Sequence, residues 1–220
     1  MPAVMLLKER YRKTIEYFLE HGPAPETELQ YSDPFELLVA VILSAQCTDK
    51  RVNMITPPLL KAFPDAASMA AASYPDVFEF IKSCTYPNSK AKYLVGMARM
   101  LLDKFGGKVP KEPQLLRQLP GVGRKTANVV ASVVFKEPVM AVDTHVFRVS
   151  QRIGLTINAK TPLDAELQLS KNIPPALMHN AHHWLILHGR YICKARKPLC
   201  SECGLRDFCR YYNKMKLEKS

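Results

Sequence analysis

The chain has 220 residues, 47% of them hydrophobic, six cysteines and a formal net charge of +11. That length accommodates one good core or two modest ones, and the charge excess points to a polyanionic partner, nucleic acid or an anionic membrane. No apolar run reaches the roughly 20 residues needed to span a bilayer. The start, Met1 to Lys8, has no charged segment ahead of its short apolar run and makes a poor signal peptide. The expectation is an intracellular chain, in which six cysteines are not paired as disulfides.

In chain order, Val4 to Glu20 has the pattern of an amphipathic helix, stopped by Gly22 and Pro23. A polar link, Ala24 to Tyr31, leads to a strong helix start. There Asp33 can cap, Pro34 suits the first helical position and Glu36 can close a capping box. The helix behind it, Phe35 to Cys47, is apolar on nearly every side until Ser44, which places it at the centre of a bundle. Short helical segments follow, expected to break at Pro57-Pro58, Pro64, Pro75 and Pro87. Asn88 or Ser89 is the expected cap of a longer helix ending at Gly106-Gly107.

Leu115 to Leu119 then runs into Pro120-Gly121-Val122-Gly123, and a second helix, Arg124 to Phe135, follows at once. Glycines on either side of one apolar residue permit a tight reversal and leave the backbone amides uncovered beside a helix N-terminus, where an anion is favoured. This pattern is that of a helix-hairpin-helix, which grips a phosphate without reading sequence. The plainer alternative is an αα-corner with a surface lysine, Lys125, in its second helix. Asp143 opens a further helix that Gly154 ends, Thr161 and Asp164 form another capping pattern, and Pro174-Pro175 begins a helix to His188 with Gly189 beyond it. No alternating stretch long enough for a strand occurs. The fold class is all-α, and the basic tail from Lys214 to Ser220 is expected to be loose.

Cys193, Cys200, Cys203 and Cys209 fall within 17 residues, spaced C-x6-C-x2-C-x5-C. Four thiolates crowded in an intracellular chain hold a metal centre. A single two-residue spacing favours a 4Fe-4S cluster over zinc, whose sites more often pair two knuckles across a longer gap. Between the first two cysteines, Lys194, Arg196 and Lys197 with Pro198 make a basic finger suited to a second phosphate contact. Cluster assembly lowers the net charge by about 2. Cys47 and Cys84 stand alone in the sequence, and packing is their expected role.

Leu119 to Val130 (LPGVGRKTANVV), Ala141 to Val149 (AVDTHVFRV), His182 to Tyr191 (HHWLILHGRY) and the cysteine spacing together resemble bacterial endonuclease III, of the helix-hairpin-helix DNA glycosylases. Phe35 to Asp49 and Asn88 to Ala91 extend the resemblance over nearly the whole chain. It implies a glycosylase and abasic-site lyase that removes oxidised pyrimidines from double-stranded DNA. It also implies a two-domain, all-α, helix-hairpin-helix fold with a C-terminal iron–sulfur cluster loop. A six-helix domain over 27–137 would be followed by a cluster domain made from 1–26 and 138–220, with the active site in the groove between them. The implied catalytic pair is Lys125 and Asp143, and the implied cluster ligands are Cys193, Cys200, Cys203 and Cys209. Gly121, Val122, Gly123 and Arg124 would hold phosphate, with Lys194, Arg196 and Lys197 as the second basic contact. Gln46 matches the residue that fills the gap left by an extruded base, Tyr86 takes the wedge position, and His145 matches a histidine near the active-site helix. The adenine-mismatch glycosylases, otherwise similar through the hairpin, usually lack the lysine at the place of Lys125. The implied protein is a monomer in the bacterial cytoplasm, at the nucleoid and away from membranes. Two departures stand out: Cys84-Thr85-Tyr86 where the familiar pattern has Gly-Leu-Tyr near the wedge, and Cys47 where relatives often carry alanine.

Overall fold

The computed structural model describes residues 5–24 and 26–218. All regular structure among them is helical, and the chain divides into two units, Thr27–Glu137 and Met1–Glu26 with Pro138–Ser220. Helix α1 (Leu7–His21) belongs to the second, discontinuous unit. Its expected first residue, Val4, lies outside the described residues.

The continuous unit contains seven helical segments: α2 (Pro34–Ser44), α3 (Asp49–Ala62), α4 (Ala66–Ala71), α5 (Tyr74–Ile81), α6 (Pro87–Phe105), α7 (Pro113–Leu116) and α8 (Arg124–Phe135). One more than six appears because Pro113–Leu116 forms a single turn ahead of the hairpin. Asp33 caps α2 by accepting from the Glu36 amide at 2.9 Å, and Pro34 follows directly. Glu36, however, reaches back to the Ser32 amide and hydroxyl at 2.7 Å, one residue short of a capping box. Eight of the eleven residues of α2 are buried, and it packs against α3, α6 and α8. Burying each large apolar side chain there stabilises the unit by about 1.5–3 kcal/mol.

Helix α2 stops at Ser44, short of the expected Cys47, and two further boundaries differ from expectation. Helix α3 runs through Pro57-Pro58 without a break. Both prolines are exposed, so the hydrogen bonds they cannot make lie on the wet face, while buried Val52, Ile55, Thr56 and Leu59 anchor the opposite face throughout. Helix α6 begins at Pro87, with Tyr86 in the left-handed region at the N-cap, so Asn88 and Ser89 are helical rather than capping. Proline's fixed φ suits a first helical position.

The discontinuous unit contains α1, α9 (Thr144–Ile153), α10 (Pro162–Asn172), α11 (Met178–Tyr191) and α12 (Arg210–Leu217), with 3-10 turns at Pro175–Leu177 and Arg206–Phe208. Thr161 and Asp164 form the reciprocal capping box of α10. Phe18 of α1 stacks on Trp184 of α11 at 5.6 Å, and Tyr11 donates its hydroxyl to the Leu155 carbonyl at 2.8 Å. The chain's first helix is thereby built into a core formed by its last third.

Helix α11 passes straight through Gly189 instead of stopping before it. A Cβ at Gly189 would lie 2.9 Å from His145 Cβ and 3.1 Å from Val149 Cγ2, so glycine serves here to let α9 and α11 approach. Gly189→Ala is expected to destabilise the protein by about 1–3 kcal/mol, because His145 Cβ cannot swing aside. A thermal melt lowered by roughly 2–4 °C per kcal/mol would register it. The tail is helical to Leu217 rather than loose, since Arg152 lies over the Tyr211 ring at 4.6 Å and α12 packs on α9. Its last two residues lie outside those described.

Candidate active site and cluster cavity

In the continuous unit the hairpin is closed by the Val122 amide donating to the Leu119 carbonyl at 3.1 Å. Val122 is buried and pins the turn, while Gly121, Gly123, Arg124 and Lys125 are exposed. The two glycines serve different ends. Gly121 has φ +78°, and a Cβ on it would press within 2.8 Å of Tyr93 Cβ. Gly123 has ordinary extended backbone and open space where a Cβ would point. It caps α8, whose first amides have no intrahelical partners. The result is a bare, positively polarised helix start with Arg124 and Lys125 in its first turn. Helix dipoles disfavour cations there by about 0.3–1 kcal/mol, so two adjacent basic residues stand at a position that does not favour them on stability grounds.

Gln46 and Tyr86 lie on two neighbouring loops of the same unit. Gln46 is exposed with φ 54°, and Tyr86 is 62% exposed with φ 55°. Thr85 Oγ1 donates to the Gln46 carbonyl at 2.6 Å, tying the loops together. Lys90 is a residue that the chain order did not single out. It is 3% exposed, and its Nζ donates to the Leu43 and Ala45 carbonyls at 2.8 Å each, holding the C-terminus of α2 from which Gln46 projects. Lys90→Met keeps the stem and removes both donors. It is expected to destabilise the fold by about 2 kcal/mol, read from the midpoint of urea unfolding. Cys47 and Cys84, distant from each other in the sequence, are neighbours with sulfurs 3.6 Å apart.

In the discontinuous unit, half-buried Asp143 is the N-cap of α9 and accepts from the Val146 amide at 2.8 Å. His145 is also half-buried, with Nδ1 facing Arg148 Nη2 at 3.3 Å. Arg148 in turn donates to the carbonyls of Gly189 (2.8 Å) and Cys193 (3.1 Å), fixing the end of α11 where the first cysteine begins. Lys194, Arg196 and Lys197 are exposed. The loop that carries them is held by Arg152, which donates to the Lys194 and Ala195 carbonyls at 2.7 and 2.8 Å. Arg152 had no signal in the sequence beyond its place in the last turn of α9.

Cys193, Cys200, Cys203 and Cys209 line one cavity together with Ile153, His188, Ile192, Leu199 and Leu205. Four cysteines sharing one cavity with an apolar wall match the thiolate donor set of an iron–sulfur cluster. Arg152 Nη1 donates to Cys193 Sγ at 3.6 Å, and His188 Nε2 lies 3.6 Å from Cys203 Sγ, so two nitrogens face the sulfurs. Burial lowers His188 to about 4, which keeps it neutral. Burial, reinforced by neighbouring cysteines, pushes the Cys203 thiol up to about 11 and raises Cys200 and Cys209. Bare, these thiols hold their protons at neutral pH, and metal binding expels them.

Residues 39–175 match the HhH-GPD superfamily of base excision DNA repair proteins, and residues 193–209 match the iron–sulfur binding domain of endonuclease III. The chain is 46% identical over 201 residues to an endonuclease III of Rickettsia felis, covering 91% of this chain and 94% of the relative. It is 45% identical over 196 residues to endonuclease III of Escherichia coli K12, covering 89% and 92%. Among solved structures, a trapped covalent intermediate of endonuclease III with DNA superposes with a TM-score of 0.90 at 41% identity, over 96% of this chain and all of that one.

Proposed function

Because the chain belongs to the endonuclease III family of the HhH-GPD superfamily, we propose that Lys125 is its nucleophile and Asp143 the carboxylate that assists. The protein is a DNA glycosylase and abasic-site lyase of base excision repair, and it carries a 4Fe-4S cluster. The residues proposed to hold the cluster are Cys193, Cys200, Cys203 and Cys209, which share the one cavity. When bound, the cluster cross-links the segment that carries the basic finger.

One amine performs both chemical steps. The neutral Lys125 amine attacks C1′ of the damaged nucleotide, the base departs, and a Schiff base joins protein to sugar. The imine acidifies the C2′ proton, and β-elimination breaks the 3′ C–O bond. Asp143 stabilises the positive character at C1′ or helps to take the lysine proton. The bare turn at Gly121 to Arg124 holds a phosphate by backbone amides, and Lys194, Arg196 and Lys197 hold another. Gln46 fills the gap left by the extruded base, and Tyr86 wedges into the stack beside it. The excised bases are oxidised pyrimidines, as the family resemblance implies. The protein acts as a monomer on double-stranded DNA in the bacterial cytoplasm, at the nucleoid. Among its described residues no helix is long and apolar enough to cross a membrane.

The single observation that carries the assignment of Lys125 is its exposure in the first turn of a bare helix start that opens outward at Gly123. Borohydride trapping tests it. A cluster-loaded preparation is mixed with a duplex bearing an abasic site, and separately with one bearing an oxidised pyrimidine. Covalent adducts are expected with both. An adduct with the abasic site alone would overturn the choice of base. No adduct from a preparation that binds the duplex would overturn the chemistry in favour of a non-catalytic DNA-binding module. Phosphate contacts by Arg124, Lys194, Arg196 and Lys197 also predict salt dependence. A log–log slope of about −3.6, or a loss of roughly 150-fold between 50 and 200 mM salt, is expected in a binding titration. A flat titration would remove these side chains from the DNA face.

A further inference from the structure

Two cysteines lie outside the cluster cavity, and the fold brings them together. Cys47 Sγ and Cys84 Sγ are 3.6 Å apart although 37 positions separate them in the chain. Cys84 is buried and Cys47 half-buried, so a reagent meets the pair through Cys47. Cys47 lies in the loop after α2, next to Gln46, and Cys84 in the loop before α6, two residues from Tyr86. Each loop holds a non-glycine residue in the left-handed region, Gln46 at φ 54° and Tyr86 at φ 55°. Such conformations persist only where the surroundings enforce them. Here the surroundings include the Thr85–Gln46 hydrogen bond at 2.6 Å and the two carbonyls gripped by Lys90. The thiol pair therefore sits in the seam between the loops.

We propose that Cys47 and Cys84 are a redox-active dithiol whose oxidation to a disulfide locks the Gln46 and Tyr86 loops together and weakens DNA binding. The second half of this rests on the assignment of those two side chains to the DNA face. The oxidant class is a low-molecular-weight disulfide such as glutathione disulfide. Cys47, as thiolate, attacks one glutathione sulfur; that S–S bond breaks, and one glutathione leaves and takes up a proton. The Cys84 sulfur then attacks Cys47 in the mixed disulfide and releases its own proton, and the second glutathione departs with it. Two protein thiols and one glutathione disulfide thus become one protein disulfide and two glutathione thiols.

Closing the pair takes the sulfurs from 3.6 Å to about 2.05 Å. Side-chain rotation and the two loops must supply that movement, and Gln46 and Tyr86 move with their loops. That approach of about 1.5 Å is shared between side-chain rotation and the two loops, and a tenfold loss of affinity is expected from it. Burial, and after it the contact with Cys47, pushes the Cys84 thiol up to about 11. The second displacement is accordingly the slow one, and the pair rests reduced in a reducing compartment.

The holoprotein provides a clean test, because only these two of its six cysteines lie outside the cluster cavity. It is treated anaerobically with glutathione disulfide while absorbance at about 400 nm verifies that the cluster survives. Non-reducing peptide mass mapping is expected to find Cys47 joined to Cys84, and thiol titration to fall from two to none, both reversed by dithiothreitol. The Kd for a duplex with an uncleavable abasic analogue is expected to rise about tenfold in the oxidised protein and to stay unchanged in Cys47→Ala or Cys84→Ala given the same treatment. Unmodified thiols, or a glutathione adduct that stops at Cys47, would overturn the dithiol. A disulfide with unaltered affinity would overturn its coupling to DNA. A reduced protein with no affinity for the abasic duplex would instead refute the functional assignment, and the mass map would still decide whether the disulfide forms.

Discussion

Lys125→Ala is expected to lose the borohydride-trapped adduct entirely and to lower strand nicking at an abasic site by roughly 10⁴-fold or more, the scale on which removal of a covalent nucleophile acts. Its effect on stability should run the other way. The side chain is exposed and lies in the first turn of α8, where a cation opposes the helix dipole and alanine is the better helix former. The melting temperature should stay level or rise slightly, and affinity for an abasic duplex should fall no more than about tenfold, the share of one phosphate-scale charge. A gain in stability with a collapse in rate separates a chemical role from a structural one. Adduct formation that survives the substitution would return the hairpin to a phosphate grip and place the amine elsewhere.

Asp143 calls for a pair of substitutions, because the structure gives it a mechanical duty as well. Its carboxylate accepts from the Val146 amide at 2.8 Å and caps α9. Asparagine caps as well as aspartate, so Asp143→Asn should fold with stability within about 0.5 kcal/mol of the parent while losing the charge. A fall of roughly 10²–10⁴-fold in single-turnover base excision is expected, the usual range for a positioned acid–base group. Asp143→Ala should lose the same activity and about 1 kcal/mol of stability besides. Full activity in Asp143→Asn would reduce the residue to a cap.

The features legible in the sequence were those whose chemistry is local. Asp33 before Pro34, Thr161 with Asp164, Asp143 before α9 and the hairpin glycines each fix a boundary through contacts a few residues long, and the structure places helix ends there. That Lys125 lies in the first turn of the helix behind the hairpin and that the four cysteines gather in one cavity follows for a related reason, from short motifs. What went unseen depends on partners distant in the chain. The prolines of α3 do not break it because a buried stripe holds the far face, and Gly189 does not end α11 because His145, 44 residues earlier, needs the space. Likewise Lys90 meets carbonyls 45 and 47 positions away, Arg152 grips a loop 42 and 43 positions on, and Cys47 faces Cys84 across 37. No local pattern encodes such pairs.

Helix α1 is made before its partners and must wait for them. Its partners Leu155 and Trp184 emerge from the ribosome long after it, with the whole Thr27–Glu137 unit translated in between. At about 5–20 residues per second, that stretch alone takes roughly 6–20 s. During this interval Phe18 and Tyr11, buried in the finished protein, have no native core to enter, whereas by its end the intervening unit has all of its own chain. A ribosome stalled before α11 would therefore leave a folded middle with an unpaired, half-apolar leader, the kind of surface that chaperones hold. Iron delivery must come later still, since Cys209, the fourth cysteine of the cavity, follows α11 in the chain.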